Sequence, residues 1–562
     1  MKSFRRENVL YLLAFVLALA VRLIRLGTLP LTDLEAKWAL QALGVAQGTR
    51  PALGPQPAYV LLTSIFFFLY GGGTNFLARL VPALTGSALV FAPILFRDRL
   101  KPRPSLILAF FLALDPGLVA LSRQAGSSIL AITFLFLAWG FWRQKNAPWA
   151  GVFAGLALLS GPALWAGLLG LILTWAILQA WERGPKTESA QRPTRSEWSS
   201  ALWFGLGTLI LGGTLFFLSP NGLGAWMSSL PEYVAGWRNP SGISFGMLLF
   251  SLVVYQPLAL ILGLIAVVRG LRSKNRRLKR LSLWALVGLL LALFYPARQV
   301  SDLAWMLIPL WALAALELAR NPHLFREECL EVLGVVGLGV LILTFSWLDF
   351  LALNQTAMPS YQATLRAWLL FGALFLLVMS ILLVAVGWSI RSARLGAVWA
   401  LVAALGIYSL GVMFAAGGLR VTPGVELWNA GASPAESDLL LMTVDQISDW
   451  SKTNANAQPV TIAGIESPAL EWLLREHKVE VVSSLDTSAS PPIVITAGQN
   501  NPSLAAGYRG QSFIWRQSPL WNDAQSVDWM RWVAFHQMPQ TSETIIVWVR
   551  DDLFIDSTSP KP

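Results

Sequence analysis

Cysteine is nearly absent: Cys329 stands alone among 562 residues, so no disulfide framework can staple this chain. Histidine is almost as scarce, and His323, His477 and His536 lie too far apart to show zinc-ligand spacing. Charge is short as well. Asp, Glu, Lys and Arg make up 13% of residues, about half the share of a soluble domain. What fills the space is apolar: 55% of residues are hydrophobic and the mean hydropathy is +0.57. Apolar stretches of about 16 to 25 residues recur, which is the pattern of a polytopic α-helical membrane protein.

The formal charge of +11 does not indicate nucleic-acid binding, because of where it sits. Arg97, Arg99, Lys101 and Arg103 fill one gap between apolar segments. Arg269, Arg272, Lys274, Arg276, Arg277, Lys279 and Arg280 fill another. Such clusters mark cytoplasmic loops, and no nucleic-acid module accompanies them. With Lys2, Arg5 and Arg6 the N-terminus belongs inside, and residues 9–27 form an uncleaved first span.

Residues 28–56 then lie outside. Residues 57–70 are apolar but too few to cross at 1.5 Å per residue, so they are expected to form a re-entrant or interfacial helix ended by Gly71 to Gly73. Further spans are expected near 78–96, 105–120, 127–142, 149–160, 162–181, 199–218, 245–268, 281–295, 303–318, 332–351, 367–389 and 395–416. That makes about thirteen crossings. The odd count places the basic loops at 143–145, 183–195, 269–280, 320–326 and 391–394 inside and the C-terminal region outside. Near Gly417 the composition turns polar, which divides the chain into a membrane domain, 1–416, and a soluble extracytoplasmic domain, 417–562.

Against this apolar background the outer loop carries Asp33 and Glu35, just beyond the first span. Carboxylates at a membrane surface can act as general bases. They also read as a capping pair for the helix that follows, with Thr32 available. An Asp-x-Glu pair is in addition a candidate oxygen-ligand set for Mg²⁺ or Mn²⁺. On the same expected face lie Lys37, Arg50, Gln56, Arg79, Arg123, Gln124, Glu232, Arg238, Arg298 and Asp302. Mixed charge at one interface suits a phosphorylated lipid, although interfacial arginines also serve as simple headgroup anchors.

The order of these features resembles the GT-C superfamily of membrane glycosyltransferases, which includes the protein O-mannosyltransferases (glycosyltransferase family 39) and the aminoarabinose transferases of lipid A. The resemblance covers roughly residues 5–320. It rests on Asp33-Leu-Glu35-Ala36 and its following short helix, Pro55-Gln-Pro57, Gly71 to Gly73, Ala78-Arg79-Leu80, Ser122-Arg123 and the stretch from Gly155 to Pro162. The tail from Gly507-Tyr-Arg509 to Trp548-Val-Arg-Asp-Asp-Leu553 resembles those of prokaryotic relatives.

The resemblance implies transfer of a sugar from a polyprenyl-phosphate carrier to an acceptor outside the cytoplasm, at the plasma membrane. Asp33 is the expected base, with Glu35 as its rival or positioning partner, and the anomeric centre inverts. Arg79, Arg123 and Arg298 would hold phosphate, with Asp302 and Gln56 beside the substrate. Departures from the family pattern stand next to these matches. Leu34 separates the two acids, Gly126, Ser127 and Ser128 replace an acid, and no lysine precedes Gly161-Pro162. They leave open a chain that binds polyprenyl lipid without turnover. A transporter, the other alternative, would place polar groups mid-span and often repeat its halves; neither pattern is visible.

The loop 219–242, with Trp226, Tyr233, Trp237 and Arg238, reads either as an interfacial aromatic belt or as a surface that stacks on a sugar or polyprenyl chain. In the C-terminal region, strands are expected at 461–465, 479–482, 493–496 and 544–549, with a helix at 468–477, giving a small α/β domain. It lacks a Gly-rich phosphate loop and catalytic-triad spacing. Trp515, Trp521, Trp529, Trp532 and Trp548 are expected to fill its core or dock it on the membrane domain.

Overall fold

A computed structural model describes residues 2–181, 194–273, 275–320, 329–355, 359–422, 424–429, 431–450, 458–486, 490–498 and 504–555. The loop expected at 183–195 lies almost wholly outside these residues, as does most of that at 320–326. Long apolar helices run to Ala416, and among the described residues every strand lies beyond it. The chain is a polytopic membrane protein with a C-terminal sheet.

Among the described residues six helices are long and apolar enough to cross a membrane, or up to eight if each of two bent pairs is one span. The bent pairs explain part of the distance from the thirteen crossings expected. Residues 105–120 and 245–268 each read as one span. Instead, Pro102–Leu114 meets Pro116–Ser122 at 55°, and Phe245–Tyr255 meets Pro257–Arg272 at 93°. Proline causes both breaks. It lacks the N–H that would close the preceding turn, and it pushes the residue before it out of the helical region.

Those breaks leave polar groups that must be satisfied in a dry interior. Pro116 cannot donate to the carbonyl of Leu112, so the buried Arg22 does, through Nη2 at 3.2 Å, and its Nη1 donates to Ala113 O at 2.9 Å. Asp115 caps the second segment by accepting from Leu118 N at 2.6 Å. Its other oxygen accepts from Gln256 Nε2 at 2.6 Å and Trp311 Nε1 at 2.7 Å. Gln256 stands at the second break, so the two bends are tied to each other.

The helix Pro57–Tyr70 has 14 residues and opens on proline. Gly71 ends it at φ 82°, a left-handed backbone that favours glycine. Its shortness matches a helix that does not span. Asn75–Leu95 follows as a full-length span.

Beyond Ala416, six strands among the described residues form one mixed sheet: β1 (Ser433–Pro434), β2 (Pro459–Ala463), β3 (Lys478–Val482), β4 (Ile493–Ala497), β5 (Tyr508–Pro519) and β6 (Gln540–Arg550). Their order is β1-β5-β6-β4-β2-β3. β2 runs parallel to β3 and β4, and the remaining pairs are antiparallel. Trp515, Trp521 and Trp532 are buried. Trp529 lies edge-on to Phe250 of the helix Phe245–Tyr255 at 4.8 Å, and Trp532 packs near Tyr255 at 5.8 Å. These tryptophans both fill the core and seat the sheet on the membrane helices.

Candidate active site

The loop after the first helix, Lys2–Leu23, leads into the helix Asp33–Ala46, where the two acids part company. Glu35 turns inward and is buried. Its Oε1 accepts from Arg79 Nε at 2.8 Å and Ala125 N at 3.0 Å. Its Oε2 accepts from Arg79 Nη2 at 2.8 Å, Thr32 N at 3.1 Å and Thr32 Oγ1 at 3.2 Å. Thr32 and Glu35 complete a capping box. Burial alone would raise this carboxyl, yet the charge of Arg79 and the hydrogen bonds from Arg79, Ala125 and Thr32 together hold it below its ordinary value. Such a carboxylate is a weak proton acceptor, and its geometry is that of a structural pair.

Asp33 faces the sheet. Oδ1 accepts from Ser467 Oγ at 2.7 Å and Ala469 N at 3.1 Å, and Oδ2 pairs with Arg516 at 2.8 Å. Its side chain keeps 30% of its exposure. Leu34 between them is exposed, with Lys37 one helical turn on. Because the two carboxylates point to different partners, each already matched to an arginine, they form no joint ligand set for Mg²⁺ or Mn²⁺. Among the described residues no group of three or more His, Cys, Asp or Glu could hold a metal ion.

Arg79 has five N–H groups, and all five are in use. Besides Glu35 they reach Leu26 O at 3.3 Å, Leu29 O at 2.8 Å and Pro30 O at 3.0 Å. Arg123 is held in the same manner: Nη1 donates to Val21 O, Arg22 O and Ile24 O at 2.8 to 3.1 Å, Nη2 to Arg25 O at 3.2 Å and Nε to Gly417 O at 2.5 Å. Apart from Gly417 O, at the end of the helix Ile390–Ala416, these carbonyls belong to the end of the first helix and the loop that follows, where helices leave acceptors unpaired. Burial, with the nearby Arg79 and Arg25, lowers the Arg123 guanidinium to about 10. Both arginines therefore clamp residues 21–30 and have little left to offer a phosphate.

The remaining candidates have other partners. Arg298 donates to Leu293 O at 3.1 Å and lies 4.7 Å from the centre of the Phe245 ring, while its Nε is buried without a partner. Asp302 accepts from Gln299 N at 2.8 Å and lines a small cleft with Tyr233, Tyr295 and Trp305. Tyr233 stacks on Tyr295 at 5.2 Å, and Trp237 meets the same ring edge-on, so these loop aromatics are occupied by one another. Glu232 sits near Lys37; burial raises its carboxyl and Lys37 opposes that. Gln56 occupies the N-cap position of the helix Pro57–Tyr70 without a side-chain capping bond and lies against Gly161, where a Cβ would come within 2.5 Å of Gln56 Cγ.

The sheet completes this end of the molecule. Trp472 lies over the glycine turn, with Nε1 donating to Asn75 Oδ1 at 2.8 Å, and Arg475 Nε donates to Gly73 O at 2.9 Å. Ser467 and Arg516 gave no signal in the sequence, since more than 400 residues separate them from Asp33.

Among solved structures, ArnT from Cupriavidus metallidurans bound to undecaprenyl phosphate aligns over 98% of this chain and 99% of its own, with 13% identity and a TM-score of 0.56. Its apo state aligns over the same shares, with a TM-score of 0.53. This chain has the GT-C fold. The likeness runs through the membrane helices and the C-terminal sheet alike. The Archaeoglobus fulgidus oligosaccharyltransferase, in complex with zinc and sulfate, aligns over 87% of this chain and 68% of its own, with 12% identity and a TM-score of 0.44. No family model matches the sequence, and no curated protein does. Within this GT-C fold, the acid loop lies where the first helix, the glycine turn and the sheet converge.

Proposed function

We propose that the chain is a GT-C membrane glycosyltransferase of the plasma membrane, moving one sugar from a polyprenyl-phosphate carrier to an extracytoplasmic acceptor. The observation that carries this reading is the end-to-end likeness of fold to a protein crystallised with undecaprenyl phosphate. In the proposed step, Asp33 takes the proton of an acceptor hydroxyl or amine. The acceptor atom bonds to the anomeric carbon on the face opposite the phosphate. The carbon–oxygen bond to phosphate breaks, and its electron pair leaves with the polyprenyl phosphate. A phosphate leaving group needs cationic stabilisation more than an acid. Arg298, with an unpartnered buried Nε, and the exposed Lys37 are assigned to supply it. Arg79, Arg123 and Glu35 act as positioning residues that hold the loop.

For Asp33 to accept a proton, Ser467 and Arg516 must release it. That requirement favours a second reading, a non-catalytic polyprenyl-lipid-binding protein in which Asp33 only docks the sheet. A transfer assay in membranes with a radiolabelled polyprenyl-phosphate sugar separates the two. As a base, Asp33→Asn lowers transfer about 10²- to 10⁴-fold, while Arg516→Gln leaves transfer near wild type. Equal, mild losses in both variants would reduce Asp33 to a docking residue. No transfer by the wild type to a broad acceptor panel would move the assignment to the second reading.

A further inference from the structure

A cavity of about 1050 Å³ opens among the membrane helices, away from the acid loop. Leucine, alanine, glycine and aromatic side chains line most of it. Thr174 adds one hydroxyl, which is already donated to Gly170 O at 2.7 Å. The charged lining is entirely cationic: Arg99, Arg143, Arg277 and Arg280. All four stand at helix ends in the basic loops, near Trp142 and Trp198, whose rings are 4.7 Å apart.

This basic end is opposite Asp33. Arg97, in the same short segment as Arg99, pairs with Glu7 near the start of the first helix, whereas Asp33 lies past that helix's far end. Roughly 25 Å of helix separates the two levels. Arg143 keeps one nitrogen on Asp98 at 2.6 Å, and its Nε is buried with no partner.

Asp98 offsets part of the charge of Arg99 and Arg143 from outside the chamber, but an apolar chamber whose charged lining is four arginines matches an amphiphile with an anionic head. A sugar donor whose phosphate sat on these arginines would be a helix length from Asp33, so the chamber does not suit the donor. We propose that it holds an anionic phospholipid of the leaflet on the basic side, which the positive-inside rule makes the cytoplasmic one. The phosphate rests on Arg143 and Arg277, and the acyl chains fill the chamber walled by the helices Ile129–Arg143, Ala163–Trp181 and Arg276–Phe294 and by the closely packed pair Ala147–Leu158 and Arg195–Gly213.

Native mass spectrometry of the full-length protein in mild detergent tests this, with phosphatidylglycerol, phosphatidylcholine and undecaprenyl phosphate supplied in equal amounts. Phosphatidylglycerol should be retained at least tenfold over phosphatidylcholine. Arg143→Gln and Arg277→Gln should each lower its retention roughly fivefold, as about 1 kcal/mol per cationic contact implies. Ala154→Trp, which narrows the chamber, should lower retention without removing the arginines. Equal retention of phosphatidylglycerol and phosphatidylcholine, or preference for undecaprenyl phosphate, would overturn the proposal. The wild-type competition decides even where a variant does not fold.

Discussion

Glu35→Gln keeps the shape of the side chain but removes the anion on which five donors converge. Two of these, Arg79 Nε and Ala125 N, meet at Oε1; Arg79 Nη2, Thr32 N and Thr32 Oγ1 meet at Oε2. An amide offers one oxygen and one NH₂, so whichever way it is placed at least two buried donors face another donor. Each orphaned buried donor costs about 1–3 kcal/mol. The uncompensated Arg79 charge points the same way, since breaking a buried pair costs about 3–5 kcal/mol. Both members are buried, with 7% and 6% of their side-chain surface exposed, so solvent screening is slight.

The expected loss is therefore about 3–5 kcal/mol, read as a fall in the thermal midpoint of the detergent-solubilised protein. Glu35→Met combined with Arg79→Met should cost less than the sum of the two single changes, because the charge pair then leaves together while the backbone partners of each are still lost. The pH dependence has a definite sign. Folding lowers the Glu35 carboxyl, so its contribution is present above the ordinary carboxylate range and fades as pH falls through the folded value. The wild type should lose stability on acidification by a margin that Glu35→Gln does not show. A Glu35→Gln variant within about 0.5 kcal/mol of wild type would refute the structural role assigned to the pair.

Tyr255→Phe removes a hydroxyl that donates to Glu426 Oε2 at 2.5 Å and accepts from Leu427 N at 3.1 Å, at the seam between membrane helices and sheet. It should weaken docking by about 1–3 kcal/mol and speed hydrogen exchange across the sheet, and unchanged exchange would show that the seam rests elsewhere. Gly126→Ala forces a side chain into a left-handed backbone at φ 69°, with Trp38 Cδ1 at 2.3 Å from the new Cβ. Strain and crowding together should cost about 2–4 kcal/mol in thermal stability; a melting temperature equal to wild type would contradict the close packing of Trp38.

Local signals were legible where one short segment carried the whole message. Proline at the start and glycine at the end mark Pro57–Tyr70 as a short helix. The apolar runs within β2, β4 and β6 read directly as strands. β5, with the sequence Tyr-Arg-Gly-Gln-Ser-Phe-Ile-Trp-Arg-Gln-Ser-Pro, escaped notice because its polar residues fall on both faces; pairing with β6 makes it a strand. The broken spans were signalled by Pro116 and Pro257, yet hydropathy averages across a proline and sees one continuous segment. For Asp33 and Glu35 the local reading left base and cap both open. The capping box is present at Glu35, while Asp33 joins a partner more than 400 residues away.

Composition and periodicity by themselves determined that this chain enters a membrane, that its last part carries a sheet, and that acids stand beyond the first helix. Those properties follow from solvent preference and short-range backbone geometry, which each segment carries within itself. Which arginines are available to a ligand was decided only by the tertiary structure. A guanidinium takes whatever acceptors surround it, and the unpaired carbonyls after the first helix reach Arg79 and Arg123 only once distant helices have packed around them.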